Sequence, residues 1–249
     1  TEAGLSVYRR PRHNKIASVL EAFDPDLLER CEAFFGGGTA ITLSLGEYRE
    51  SVDATFMCAS REGFAELRAR SFDGGLPALL KSGRSLREAR DPRRDTHSIR
   101  SCLDVGGTAV KMEIVNEARI DLAGTRNDRF GVPTLSHSDM YAEKLLANAD
   151  RGDDPASGHR DMIDLGMMIA RWGPIPEAAL KKADSAYRGR ASKALELQSR
   201  VLRSDDRLAR CARDMDISTE ATTAIMEALG GPVGPERQIR RDPPLEDRR

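Results

Sequence analysis

Residues 36–59 read GGGTAITLSLGEYRESVDATFMCA, a glycine run followed by an alternating segment. Three consecutive glycines predict a tight turn, because glycine reaches backbone conformations that other residues avoid. Residues 40–45 fit either a helix or a strand. From 51 to 59 the odd and even positions alternate in polarity, which predicts a strand with Asp53 on the face opposite its apolar side chains.

A second pair of polar side chains follows on a predicted hairpin. Residues 101–105 and 109–115 flank Gly106-Gly107, the strongest hairpin signal in the chain, and Lys111 and Glu113 share one face of its second strand. A carboxylate on an apolar strand needs an edge position, a partner or a metal. Two acids beside a glycine turn are suited to Mg²⁺, with backbone N–H groups cradling a triphosphate. The alternatives are an edge acid paired with arginine and an exposed strand face.

The rest of the chain divides by its periodicity. We expect helix in the first 35 residues, a short helix over 62–70, an arginine-rich surface loop over 81–100 and a short strand over 120–122. Helices are predicted over 139–149, with Ser138 as N-cap, over 158–171, and through most of 173–229. These patterns predict a sheet lobe (1–132), a helical lobe (133–230) and a charged, proline-rich tail (231–249) that we expect to be disordered.

Composition excludes several classes of protein. The 249 residues are 39% hydrophobic and 32% charged, with a net charge of −1 and only 12 aromatic residues. This argues against a globally basic nucleic-acid binder and against one that stacks bases on aromatic rings. A local patch stays open, because most of the basic residues are arginine. The cysteines form no close pairs, and apolar runs fall short of the ~18 residues of a membrane helix, so we expect a cytoplasmic protein without a membrane partner.

Four short motifs in order resemble the AbiEii-type nucleotidyltransferase toxins, within the polymerase-β-like nucleotidyltransferase superfamily. The first is the glycine turn with the run Ser51-Val52-Asp53, and the second is Lys111-Met112-Glu113. The third and fourth are the segments 142–145 (Ala-Glu-Lys-Leu) and 160–165 (Arg-Asp-Met-Ile-Asp-Leu). Together they span residues 36–165. The resemblance implies an α/β (α+β) fold, a nucleotidyltransferase-like mixed sheet with flanking helices and a helical C-terminal lobe.

The resemblance also implies roles for individual residues. Asp53 would hold Mg²⁺ or Mn²⁺, Glu113 would be a further metal carboxylate or base, and Lys144 would bind the triphosphate. Asp161 or Asp164 would orient that lysine or meet the nucleotide. The remaining nucleotide-binding positions implied by the motifs are Gly37, Gly38, Thr39, Ser51 and Lys111.

The activity implied is transfer of a nucleotidyl group from an NTP to an acceptor, with tRNA as the first candidate and an antitoxin as protein partner. The family pattern has a second acid two residues after the first, where this chain has Thr55. A variant enzyme, an engineered change and a degenerate nucleotide-binding or interaction protein therefore stay open, as does transfer to a small molecule. Arg160 and Asp164 also fit an ordinary helix ion pair, and Lys144 a solvated side chain.

Overall fold

The computed structural model describes residues 8–157, 159–204 and 206–231, and these form a mixed β-sheet flanked by helices. The strands are β1 (Ala33–Gly36), β2 (Asp53–Cys58), β3 (Arg87–Arg94), β4 (Ser98–Val105), β5 (Thr108–Asn116), β6 (Gly124–Asn127) and β7 (Val132–Leu135). The helices are α1 (Pro11–Ala22), α2 (Pro25–Arg30), α3 (Gly37–Ser44), α4 (Arg61–Asp73), α5 (His137–Arg151), α6 (Arg160–Trp172), α7 (Glu177–Tyr187), α8 (Arg190–Arg203), α9 (Arg207–Asp214) and α10 (Thr219–Gly230). The predicted α/β fold is confirmed.

The seven strands lie in the order β3-β4-β5-β2-β1-β7-β6. Strand β2 runs parallel to β5 and antiparallel to β1, and β1 runs parallel to β7. The β2–β5 register sets Asp53 opposite Lys111 and Thr55 opposite Glu113. Because side chains alternate along a strand, this register brings the polar faces of both motifs to one side of the sheet.

Local chemistry explains several of these elements. Alternation in β2 is as predicted, with Ala54, Phe56 and Cys58 fully buried. The hairpin of β4 and β5 is confirmed, and residues 37–44 resolve the helix-or-strand ambiguity in favour of helix. Helix α5 begins after Ser136, whose hydroxyl accepts the backbone N–H of Asp139. The predicted N-cap is therefore two residues too late.

Three sequence expectations for the sheet are wrong. The helical prediction up to residue 35 fails at its end, where β1 is a strand buried at every position, so no polar alternation marks it. The arginine-rich segment is an edge strand, β3, paired with β4, and not a loop. Residues 120–122 form no strand, whereas the four-residue strands β6 and β7 follow them.

The C-terminal half is helical, as predicted, and packs its apolar faces inward. The methionines of α6, at 162, 167 and 168, lie in the core. The predicted division at residue 132 falls at the start of β7, and the domain division itself stays a prediction. Apart from Gly231, the predicted tail lies outside the described residues. Within the described ranges, no helix combines the length and apolar character needed to cross a membrane.

Candidate active site

The glycine run forms the turn from β1 into α3. Gly37 has φ +70°, a left-handed conformation that side chains other than glycine rarely adopt, and a Cβ there would sit 3.5 Å from the Cβ of Thr55. A Cβ on Gly38 would come within 2.5 Å of Arg49 Nη2, so glycine lets this guanidinium approach the turn. The first backbone N–H groups of α3 have no acceptor within the helix. They lie at its N-terminus, which is the positive end of the helix dipole. This is a suitable place for a phosphate.

The two acids of the motifs lie on adjacent strands beside this turn. Asp53 opens β2, and its buried Oδ1 has no hydrogen-bond partner among the described residues. Glu113 on β5 accepts from Arg100 Nε of the neighbouring strand β4. An unpartnered buried carboxylate oxygen is unfavourable unless a cation or donor meets it. Asp53 thus fits a divalent cation.

No group of three His, Cys, Asp or Glu residues is arranged for a metal in the described ranges. The register explains this, because Thr55 stands opposite Glu113 at the position where the family motif has its second acid. A hydroxyl is a weaker ligand for a hard cation than a carboxylate. A cation held here would therefore depend on Asp53 and Glu113, with Thr55 and water completing its ligands.

Behind the turn lies a group of charges that we call the lysine cluster: Arg49, Lys144, Arg151, Asp161 and Asp164. All of them are buried except Arg151, which is exposed. Lys144 Nζ is 2.8 Å from Asp161 Oδ1 and 2.7 Å from Asp164 Oδ2. Arg49 donates two hydrogen bonds to Asp164, from Nε to Oδ1 at 2.7 Å and from Nη2 to Oδ2 at 2.8 Å. Arg151 Nε is 2.7 Å from Asp161 Oδ2. Three cations thus face two carboxylates.

The cluster fixes the charge of its members. Burial would raise the pKa of Asp164, but Arg49 and Lys144 outweigh it and hold that pKa below its usual value. Burial would likewise lower the pKa of Lys144, and the two aspartates more than reverse this. Tyr48 also donates its hydroxyl to Asp164. The cluster therefore stays ionised and carries a net positive charge beside the turn.

Most of the predicted site residues meet in one cleft of about 330 Å³. Its lining includes Gly37, Gly38, Thr39, Ser51, Asp53, Glu113, Lys144 and Asp161. Two predicted residues lie apart: Asp164 is wholly buried behind Lys144, and Lys111 lines a neighbouring cavity. The alternative of a solvated Lys144 is wrong, since this side chain is 7% exposed. Asp164 contacts Arg49 and Lys144, so the alternative in which it forms a helix ion pair with Arg160 is also wrong.

The neighbouring cavity, of about 780 Å³, meets the cleft at the two acids and is bordered by edge strand β3. We call it the arginine groove, after the basic residues of its lining: Arg90, Arg93, Arg100 and Lys111. Asp53 and Glu113 line both cavities. The arginine run is visible in the sequence but its position is not, because the long-range β3–β4 pairing creates the groove.

At the other end of the cleft lies a group that the sequence reasoning did not assign, the carboxyl cluster: Glu117, Arg119, Glu143 and Asp150. Arg119 bonds Glu117 with its Nε and Nη2, and its Nη1 is 2.9 Å from Asp150. Its Nη2 lies 3.6 Å from Glu143 Oε2. The only sequence signal was the position of Glu143 beside Lys144 in the third motif.

A further unassigned residue, His13 of α1, supports the loop at Ser51 that leads into β2 at Asp53. The fully buried imidazole lies with Nδ1 2.8 Å from Glu47 Oε1, and its Nε2 accepts the backbone N–H of Ser51 at 3.1 Å. Ser51 Oγ in turn lies 2.7 Å from Thr39 Oγ1. These bonds link the start of β2 to the glycine turn.

Comparison with known proteins gives one matching family model and two similar solved structures. The family model described as the nucleotidyl transferase AbiEii toxin of a type IV toxin–antitoxin system matches residues 18–237. Among curated proteins, no sequence matches the chain. Two similar solved structures are a protein of H. pylori described as a nucleotidyltransferase and MenT4, a nucleotidyltransferase toxin of Mycobacterium tuberculosis H37Rv. The first is 15% identical (88% of this chain, 92% of that one, TM-score 0.45), and the second 14% (89% and 94%, TM-score 0.33).

Proposed function

The chain belongs to the AbiEii nucleotidyltransferase toxin family, and on that premise we propose that it transfers NMP from an NTP to tRNA with Mg²⁺ or Mn²⁺. The observation that carries the proposal is the meeting of two cavities at Asp53 and Glu113. One cavity contains the glycine turn and Lys144, and the other is bordered by arginines. Joining a nucleotide to an RNA end needs a donor site and an acceptor site with the reacting atoms between them.

The glycine turn and the lysine cluster form the donor side of the site. The backbone N–H groups of Gly37, Gly38 and Thr39 donate hydrogen bonds to the triphosphate at the start of α3. Lys144 has three N–H donors, two directed at Asp161 and Asp164, and the third meets a phosphate oxygen. The net positive charge of the cluster offsets the charge that builds up on the leaving pyrophosphate.

Asp53 and Glu113 hold the divalent cation, and Ser51 lines the same site. When bound, the cation neutralises phosphate charge and lowers the pKa of the attacking hydroxyl. If Glu113 held the cation, it would give up its bond to Arg100, and that guanidinium would then be available to an RNA phosphate.

The arginine groove is the acceptor side. Arg90 and Arg93 of β3 are exposed, and Lys111 stands beside Asp53 on the neighbouring strand. Such residues bind phosphates with little sequence preference and strong dependence on salt. Activity on tRNA would place the protein in the cytoplasm, with a cognate antitoxin restraining it.

A second candidate function is nucleotide binding with weak or no catalysis. Thr55 favours it, because it removes one carboxylate from the metal site. In that case NTP and Mg²⁺ would raise the melting temperature without any transfer, and Thr55→Asp would restore activity.

The test incubates the purified chain with each labelled NTP, Mg²⁺ or Mn²⁺ and total tRNA. We expect label on tRNA, and a loss on the order of 100-fold or more with Asp53→Asn, the isosteric change at the metal acid. Absence of label on tRNA with every NTP and either metal would overturn the tRNA proposal. Arg90→Ser with Arg93→Ser should abolish transfer to tRNA, whereas Arg61→Ser, an exposed arginine on α4, should not. If wild-type protein labels a small-molecule hydroxyl but no tRNA, and the double variant keeps that transfer, the acceptor is not RNA.

A further inference from the structure

Two carboxyl side chains stand at the end of the cleft away from the arginine groove. Glu117 directly follows β5, where its backbone N–H donates to Cys58 O at 2.9 Å and extends the β2–β5 ladder. Glu143 comes from α5, one residue before Lys144. Their side chains are only 3% and 6% exposed, yet both line the cleft. Buried acids of this kind need partners.

The partners present do not satisfy Glu143. Arg119 is the one guanidinium in contact with both Glu117 and Glu143 in the described ranges, and it also binds Asp150. Oε1 of Glu143 is buried and has no hydrogen-bond partner in the described part of the chain. Burial, and then the charge of Glu117, raise the pKa of Glu143 to about 8. A proton shared with Glu117 leaves Oε1 as an acceptor.

Apolar side chains also line the cleft. Val115 lies between Glu113 and Glu117 along β5 with Met57 opposite it on β2, and Met140 and Ala147 of α5 line the same cleft. Along β5, the four residues from Glu113 to Glu117 span about 13 Å. The cleft thus presents, in order, phosphate donors, an apolar surface and a hydrogen-bond acceptor. A nucleotide has the same order of phosphates, flat base and polar base edge.

We propose that Glu143, supported by Glu117 and Arg119, reads the base of the NTP by accepting a hydrogen bond from its exocyclic amino group. This inference rests on the proposed function and adds base selection to it. Cytosine, adenine and guanine carry such an amino group, and uracil presents a carbonyl oxygen instead. The carboxyl rotates easily about its last torsion, so Oε1 can turn from beneath the cleft surface to meet the base.

CTP and UTP form the sharpest pair for a test, because they have the same ring size and differ at the amino group. GTP and ITP, which lacks the guanine amino group, form a second matched pair. Binding is measured by displacement of a fluorescent NTP from the full chain in Mg²⁺, so the readout does not depend on transfer to tRNA. We expect UTP and ITP to bind roughly 10- to 100-fold more weakly than their partners, because each leaves a buried acceptor unpaired.

Glu143→Gln is the variant that separates recognition from packing. The amide keeps the shape but can turn its N–H₂ toward the uracil oxygen, so CTP and UTP should bind within about threefold of each other. Glu196→Gln, at an exposed position on α8, should keep the wild-type ratio. Wild-type protein that binds CTP and UTP equally would overturn the inference even if the variant fails to fold. Failure of every NTP to bind would instead overturn the proposed function.

Discussion

Helix α5 carries two adjacent residues, Glu143 and Lys144, that end in clusters of opposite charge balance. In the lysine cluster three cations face two buried aspartates, and every charge has a partner at hydrogen-bond distance. In the carboxyl cluster one guanidinium serves three carboxylates, and one buried oxygen has no partner in the described residues. Both clusters line or support the same cleft.

The difference shows how one helix can prepare two kinds of contact. Where cations exceed carboxylates, the aspartates stay ionised and the surplus positive charge attracts phosphate. Where carboxylates exceed cations, a buried acid keeps its proton near neutral pH, and its second oxygen awaits a donor. Burial is common to both, so the number of counter-charges decides the outcome.

The largest expected effect comes from removing the centre of the lysine cluster. Asp164→Asn removes the carboxylate that binds buried Arg49 and one of the two that contact Lys144, and we expect a loss of about 3–5 kcal/mol in the free energy of unfolding. Urea unfolding measures this. Glu66→Ala, at an exposed pair with Arg70, is the control and should change stability by about 0.5 kcal/mol or less. A loss below about 1 kcal/mol for Asp164→Asn would mean that the cluster is not a unit.

The sequence predicts the strands that carry the two acids, but not the partners of these buried charges. The strand of Asp53 and the hairpin of Glu113 were predictable, because period-two alternation and a glycine pair are local signals. The short strands β1, β6 and β7 were not, because four buried or mixed residues carry no period. Nor could the sequence assign partners such as Arg49 for Asp164, 115 positions away, since tertiary packing alone brings them together.

A single donor to Asp164 offers a smaller test of the same cluster. Tyr48→Phe removes the hydroxyl bonded to that carboxylate and leaves both cations in place. We expect a loss of about 1.5–3 kcal/mol, typical of a hydrogen bond to a charged group. The same urea titration applies. Equal losses for Tyr48→Phe and Asp164→Asn would show that the hydroxyl, and not the cations, determines the stability of the site.

The carboxyl cluster should make the free energy of unfolding depend on pH. Because the pKa of Glu143 is raised from 4.5 to about 8, the folded state keeps a proton that the unfolded state releases. Stability should therefore fall as pH rises from about 4.5 to 8. The neighbouring charges that shape this titration are Glu117, Arg119 and, on the same helix, Asp139.

Glu143→Gln removes that titration. Relative to wild type, the variant should become progressively more stable between pH 5 and pH 9, by at least about 1 kcal/mol. Differences between the two urea midpoints isolate this residue, because the acid-sensitive aspartates of the lysine cluster are common to both proteins. Glu196→Gln should follow the wild-type curve. Parallel curves for Glu143→Gln and wild type would show that Glu143 is ionised throughout this range.

The smallest effect should come from Asp150, which has the same counter-ion as Glu117 but lies at the rim. Its side chain is 47% exposed, so water screens its pairing with Arg119. We expect Asp150→Asn to change the free energy of unfolding by about 0.5 kcal/mol or less and to leave the pH dependence of wild type intact. A flattened pH curve would mean that the total charge around Arg119, rather than the burial of Glu143, sets the proton on that carboxyl.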